Sequence, residues 1–332
     1  MWMVRAGRGG RFARQFLDRG LVGLGWARIG DPTTARSKAA LVERMAVAYP
    51  EESAGTRDVW ASQILRFMTG IAVDDPVVTY DGQQRIYHLG QITGAPVHDP
   101  NPNDDGTSLS RAVTWSGSIG RDALSSGTLL ALGSIATLFK IREKAAIELR
   151  AAAGGTVLID RVPETARPDE AVADADPYGE LDEIALERIK DRIARLDWGK
   201  MQELVAALLR ALGYRTTVSP AGADRGKDIF ASPDGFGFEQ PRIVVEVKHR
   251  PGQTMGAPEV RGFLGGRHKD DRGLYVSTGG FTREAYYEAE RAPIPLTLMT
   301  LDDLARALID SYEKLDGEGK RLLPLTRVYW PL

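Results

Sequence analysis

An aspartate, a glutamate and a lysine carry the chemistry most easily read in this chain. Asp228 ends the glycine-rich stretch GADRGKD (222–228), and the apolar run IVVEVK (243–248) carries Glu246 and Lys248 two positions apart. Two carboxylates on neighbouring strands would supply oxygen ligands to a hard divalent cation such as Mg²⁺, which takes one or two carboxylates together with water and substrate phosphate. A lysine beside them would orient or help deprotonate the attacking water, or neutralise charge growing on a phosphate. Both signs are needed: carboxylates to hold the metal, and a cation that does not compete for it. An isolated Glu-x-Lys is more commonly a solvated pair worth a few tenths of a kcal/mol. The setting therefore decides.

Stepping along the strand, residues i and i+2 share a face. Ile243, Val245 and Val247 are expected to face a core, with Val244, Glu246 and Lys248 on the other, wetter face. The glycines at 222 and 226 suit a tight reversal that brings Asp228 forward. Asp224 reads as a turn former rather than a ligand. Upstream, Leu204, Leu208 and Leu212 recur at helical spacing, Gly213 sits where a C-terminal cap belongs, and Glu203 borders the apolar stripe. Strands are expected over 215–219, around 228–231, and over 242–248, 273–278 and 296–300, with helices over 258–265 and 282–291. That alternation predicts a mixed sheet flanked by helices, an α/β domain.

These elements resemble, in order and spacing, the Mrr-like branch of the PD-(D/E)XK nuclease superfamily. The residues that carry the resemblance are the helix MQELVAALLRALGY, the turn GADRGKDIF and the strand IVVEVKHR, followed by VRGFLGG and GLYVSTGGFTREAYYEA. It covers most of residues 197–305. The resemblance implies that Asp228 and Glu246 are metal ligands, that Lys248 is the catalytic lysine, and that Glu203 is an accessory metal or water contact. The implied cofactor is Mg²⁺ or Mn²⁺. The family often has glutamine where Glu246 stands, and this chain instead follows the more general superfamily form. Arg225 after Asp224 departs from the common Asp-Gly-Gly turn. Downstream, His249, Arg250, Arg261, Arg267, His268 and Lys269 suit contacts with a phosphate backbone, or a solvated face. Ser277 and Thr278 either touch phosphate or end their strand.

The whole chain has 332 residues, room for about two domains. The acidic, proline-containing stretch 161–182 reads as a linker between residues 1–160 and 183–332. Residues 96–110 read as a long surface loop. The first part mixes strands (20–26, 75–81, 85–94) with helices (40–49, 58–70, and 125–155 as two helices broken near Gly133), an α+β domain. No apolar run approaches the length needed to span a bilayer. The chain has no cysteine, which excludes disulfides, thiolate metal sites and thiol nucleophiles, and suits the cytoplasm. Net charge is only −2, but Arg5, Arg8, Arg11, Arg14, Arg19 and Arg28 oppose Asp18 alone in the first thirty residues.

Four of the six tryptophans, Trp2, Trp26, Trp60 and Trp115, lie in the first part. Core packing is expected for at least half of them. The segments MWMVRAGRGGRFARQFLDRGLVGLGW, ILRFMTGIAVDDPVVTYD, HLGQITG and RAVTW are similar to the EVE and PUA-like group of small barrels. That likeness implies a reader of modified bases, which flips a base out of the duplex and stacks it between aromatics. Trp26 and Trp115 are the pocket candidates, and Arg5, Arg8 and Arg11 the phosphate contacts; Arg250 and Arg261 are their counterparts in the second part. The expected protein is a metal-dependent, modification-dependent DNA endonuclease of the restriction type. It would act on double-stranded DNA, including modified cytosine, as a homodimer or larger homo-oligomer, since one such site cuts one strand. The alternatives are a non-catalytic nucleic-acid-binding regulator on a nuclease-like fold, and a nuclease whose first domain senses RNA or a nucleotide.

Overall fold

The computed structural model describes residues 1–102, 107–134, 136–154, 177–219 and 228–328. The chain divides into two units, Met1–Ile184 and Ala185–Leu332. Most of the segment expected as a linker, and the turn 222–227 with Asp224, lie outside the described residues. The end of that linker segment, from Pro177, is helical.

In the first unit the sheet runs in the order β2 (Leu21–Leu24), β6 (Leu109–Gly120), β4 (Ile86–Ile92), β3 (Pro76–Asp81), β1 (Trp2–Val4) and β7 (Leu138–Lys140), with β5 (Val97–His98) added to β6. All pairings are antiparallel except β1 with β3. Among the described residues no pairing joins β2 to β7, so the closed small barrel expected from the sequence is here an open seven-stranded sheet. One face packs on α1 (Ala13–Arg19), α2 (Lys38–Ala48) and α3 (Ala54–Thr69) through Phe16, Leu41, Met45, Ile64 and Phe67. The other packs on α4 (Ser126–Leu132) and α5 (Glu143–Ala152) through Leu129, Leu132 and Leu149. Ser37, Ser53 and Ser125 cap α2, α3 and α4 by accepting a backbone N–H two or three residues into the helix.

The region 125–155 is not simply two helices. Between α4 and α5 lies β7, which pairs with β1, and the Leu138 N–H donates to the buried Gln63 side chain. The loop expected over 96–110 is likewise shorter than expected, because both its ends are paired as β5 and β6.

The second unit is a five-stranded sheet in the order β12 (Leu296–Thr300), β11 (Asp271–Ser277), β10 (Arg242–Lys248), β9 (Ile229–Ser232) and β8 (Arg215–Val218). β8, β9 and β10 form an antiparallel meander; β10, β11 and β12 are parallel. Parallel neighbours need crossovers, and α8 (Ala257–Leu264) and α9 (Arg283–Glu290) supply them. Both faces of the sheet are covered. Met201, Leu204, Val205 and Leu208 of α7 (Trp198–Ala211) and Leu304 and Leu308 of α10 (Leu301–Asp310) pack on Val245, Val247, Leu274 and Val276. Val260 and Phe263 of α8 and Ala285 of α9 pack on Val244 and Tyr275. The side of β10 expected to be wet is therefore a second apolar layer. The helices α6 (Pro177–Ala194) and α11 (Gly317–Leu322) complete the elements. Gly213, at φ +97°, reverses the chain after α7, a conformation other residues rarely adopt.

Candidate active site

β9 and β10 bring the chemistry together. Ile229 pairs with Val245, so continuing the antiparallel register by one residue sets Asp228 opposite Glu246, on the same face. Asp228 is tied at three points: its N–H donates to the Val245 carbonyl at 2.9 Å, its carbonyl accepts from Ser219 N–H at 2.9 Å, and its Oδ2 accepts the Val247 N–H at 2.6 Å. The side chain thus replaces a backbone acceptor in the ladder, which fixes the carboxylate's position within the sheet.

Glu246 is 6% exposed and Asp228 8%. A carboxylate that deep needs a compensating charge or hydrogen bonds. Lys248, two residues on along β10, makes an ion pair through its Nζ with Glu246 Oε1. Arg267 is a second cation facing the site. Burial pulls its guanidinium below the usual arginine range, the Glu246 and Asp271 carboxylates oppose that, and the group rests over the Phe263 ring at 4.4 Å. The site is therefore two buried carboxylates on adjacent strands with cations set against them. All-oxygen donors of this kind fit Mg²⁺ or Mn²⁺, with the remaining ligand positions left to water and phosphate.

Glu203 is not brought to this pair. It stands on α7, which covers the opposite face of the sheet, and its Oε1 accepts from Arg210 Nη2 at 2.7 Å. Arg210 also donates to Asp316 at 2.6 Å and to Thr216 at 3.1 Å, so Glu203 belongs to a bridge joining α7 to β8 and the start of α11. Among the described residues no three His, Asp or Glu side chains form a metal-holding group.

The basic residues downstream divide. Arg250 is exposed. Arg261 is engaged by Glu288 across α8 and α9 at 2.9 Å. His249 is structural: its Nε2 lies 2.7 Å from the Leu196 carbonyl, which can only accept, so Nε2 carries the proton and Nδ1 faces Thr278 Oγ1. Ser277 is fully buried and donates to the Gly280 carbonyl, ending its strand rather than reaching for phosphate.

One residue at this site had no signal in the sequence. Tyr275 stands beside Glu246 in the parallel register of β10 and β11, fully buried. A single tyrosine in GLYVST reads as strand filler until the register is known.

In the first unit the candidate pocket residues Trp26 and Trp115 both pack against the same hydrophobic cluster. Trp26, held at φ +61°, packs on Trp60 at 5.7 Å, and Trp60 meets Tyr49 edge-on at 5.4 Å. Trp115 is half-buried and donates its Nε1–H to the Phe16 carbonyl at 3.2 Å. Arg5 donates to the Ser134 carbonyl, Arg11 lies over the Phe12 ring at 4.5 Å, and Arg8 is exposed. Sequence reading also missed Arg111, which is 3% exposed and donates to the carbonyls of Phe67, Ile71 and Gly94.

Comparison with known proteins bears on both units. Residues 193–308 match the family Mrr_cat, described as a restriction endonuclease. The C-terminal unit carries a restriction-endonuclease domain of the Mrr type. Residues 2–135 match a domain of unknown function, DUF8426. An uncharacterized protein, y4cE, of Sinorhizobium fredii (strain NBRC 101917 / NGR234) is 32% identical over 99 residues, 29% of this chain. The chain spans about a quarter of that relative, 25% of its length. Among solved structures, MspJI restriction endonuclease in complex with a 27-mer oligonucleotide is similar at TM-score 0.32 and 16% identity, over 92% of this chain and 72% of that one. The DNA modification-dependent restriction endonuclease AspBHI is similar at TM-score 0.31 and 19% identity, over 75% and 67%. Likenesses this loose say nothing of how this chain acts. Among the described residues no helix is long and apolar enough to cross a membrane.

Proposed function

We propose that this protein is a divalent-metal-dependent endonuclease that hydrolyses phosphodiester bonds in double-stranded DNA. The observation that carries the reading is the pairing of Asp228 with Glu246 across β9 and β10, both buried, with Lys248 bonded to Glu246. Asp228 and Glu246 would hold Mg²⁺ or Mn²⁺. When bound, the metal supplies positive charge to the scissile phosphate and lowers the pKa of water. Glu203, engaged by Arg210, is left out of the metal set.

The chain's own residues do the rest. Asp228, locked to the Val247 N–H, presents its carboxylate without reorganisation at the moment of reaction. Lys248 passes from Glu246 to the phosphate, or to the attacking water, as negative charge builds. A water oxygen bonds to phosphorus while one P–O ester bond breaks; the attacking water gives up a proton to solvent, and the leaving oxygen takes one up from solvent. Arg267, already beside Glu246, adds to the positive field.

The first unit is proposed as the reader for modified cytosine in duplex DNA. The aromatic group around Trp26 supports this, with Arg28 stacked over Tyr49 at 4.5 Å. Cutting both strands calls for two such sites, hence a dimer or larger assembly. Restriction of foreign DNA is the role this combination serves.

The test is cleavage of matched plasmids, unmodified and carrying methylated or hydroxymethylated cytosine, with Mg²⁺ or EDTA, by wild type and Asp228→Ala. Metal-dependent cutting of only the modified plasmid, absent in the variant, is the expected result. Equal cutting of both removes the reader and keeps the nuclease. Duplex binding without cutting makes the protein a regulator, and preferential binding of RNA or a nucleotide redirects the first unit.

A further inference from the structure

Tyr275 lies within β11, next to the central strand β10 of the second unit's sheet, and its hydroxyl has no hydrogen-bond partner among the described residues. The residue is fully buried. Such groups are rare in folded proteins, because the O–H forfeits its bonds to water and gains none in return. Packing explains the ring but not the oxygen. The ring stacks on Phe263 at 5.3 Å and meets Phe281 edge-on at 5.6 Å. Gly273, two residues earlier on the same face, lets Phe263 lie against the strand: a Cβ there would stand 2.8 Å from the Phe263 ring. A phenylalanine would fill this space equally well.

The oxygen's position supplies a reason for it. Tyr275 is the register partner of Glu246, so the two side chains rise from the same face of adjacent strands. Asp228 is the next neighbour across β10. Three carboxylates, Glu246, Glu259 and Asp228, and one cation, Arg250, face the phenol electrostatically; burial first, then the carboxylates, push its pKa well above the usual tyrosine value. The group is thus a neutral O–H donor at physiological pH. Glu259 is otherwise engaged, its Oε2 accepting from the Gly256 N–H at 2.9 Å.

We propose that the Tyr275 hydroxyl is a further positioning group of this site, donating its hydrogen to an oxygen ligand held against Asp228 and Glu246. That oxygen belongs either to water or to the scissile phosphate. The inference rests on the nuclease reading above. It explains why a polar atom is kept in an apolar layer where phenylalanine fits: its partner arrives with the ligand.

Tyr275→Phe in the full chain tests this, since it removes one oxygen and keeps the ring. Melting curves are recorded for wild type and variant without metal, with Mn²⁺ alone, and with Ca²⁺ plus a duplex that the wild type cleaves when Mg²⁺ is supplied. Single-turnover cleavage with Mg²⁺ runs in parallel. The expected variant melts at or above the wild-type temperature without ligand, gains less than wild type on ligand addition, and cleaves on the order of 10²-fold more slowly, the scale for losing one preorganised donor. A deficit already present with Mn²⁺ alone identifies the ligand as water; a deficit only with duplex identifies phosphate. A variant that melts lower without ligand shows the hydroxyl to be structural and overturns the proposal. So does a variant matching wild type in every arm, and wild-type cleavage then leaves the nuclease reading intact. A wild type with neither a metal-dependent shift nor cleavage ends the nuclease reading, and this inference with it.

Discussion

Asp228 and Val247 are joined by a hydrogen bond of 2.6 Å from the backbone N–H of one to the carboxylate of the other, across the strand pair that carries the chemistry. The same side chain thus has a structural duty and a proposed chemical one, and substitution can separate them. Asp228→Asn keeps an amide oxygen able to accept the Val247 N–H, so stability should change by no more than about 1 kcal/mol, while cleavage falls by about 10³-fold or more for loss of the ligand charge. Asp228→Leu should lose both. Urea denaturation and plasmid cleavage on the same preparations check this.

Lys248→Met keeps the length of the side chain and leaves Glu246 without its bonded cation. Breaking a fully buried pair costs about 3–5 kcal/mol. Lys248 is 31% exposed, and the expected loss is smaller, about 1–2 kcal/mol. Cleavage should disappear. Lys248→Arg, which keeps the charge but presents a planar fork, should recover stability without recovering full activity.

Glu203→Gln should leave cleavage within about tenfold of wild type and cost under about 1 kcal/mol, the scale of a half-exposed ion pair. Activity as low as that of Asp228→Asn would make Glu203 a ligand after all, reached by breaking its bond with Arg210.

Asp271 gives a pH signature independent of catalysis. Burial alone would raise its pKa, but the His268 N–H at 2.9 Å and the Arg242 guanidinium at 2.6 Å outweigh burial and hold the carboxyl below its ordinary value. A carboxyl depressed in the folded state stabilises the fold above its unfolded pKa of about 3.9, and that contribution is lost as pH falls through the folded value. Asp271→Asn should therefore be less stable than wild type at pH 7 by about 1–3 kcal/mol, with the gap closing below about pH 4. Denaturation midpoints at pH 7, 5 and 3.5 would show it.

In the first unit, Trp115→Phe should cost about 1 kcal/mol for the lost bond to Phe16 and leave the choice between modified and unmodified duplex unchanged. Trp26→Ala should reduce that choice. The readout is relative binding of the two duplexes.

The second unit was the more legible. β10 and β12 fall where their apolar runs lie, and β9, β11, α8 and α9 come within two residues of the expected bounds at each end. Each is a short periodic run closed by glycine, proline or a capping side chain such as Thr282, whose hydroxyl accepts the Ala285 N–H. What failed was the wet face of β10. A strand sequence does not say which helices will cross it, and α8 and α9 make that side apolar around Glu246. The same ignorance hid Tyr275, since a parallel register is set by crossovers rather than by a turn. In the first unit β6 was missed because LSRAVTWSGSIG spreads its apolar residues among serines and glycines. It is held by pairing with β2, β4 and β5 together. β7 has three residues, too few for any period.

The carboxylate pair and its lysine lie within a hairpin, Asp228 and Val247 being only 19 residues apart in the chain. Closing so short a loop costs little chain entropy and is fast, whereas parallel pairing must wait for a crossover helix to be accommodated. Assembly of the site should then be sequential: the β9–β10 hairpin gathers Asp228, Glu246 and Lys248 early, and β11 delivers Tyr275 later. Until that second step the three charged groups should remain open to water. The reactive character of the centre is thus acquired only when folding is nearly complete, so a half-folded chain has its ligands aligned but lacks the dry surroundings that give them force.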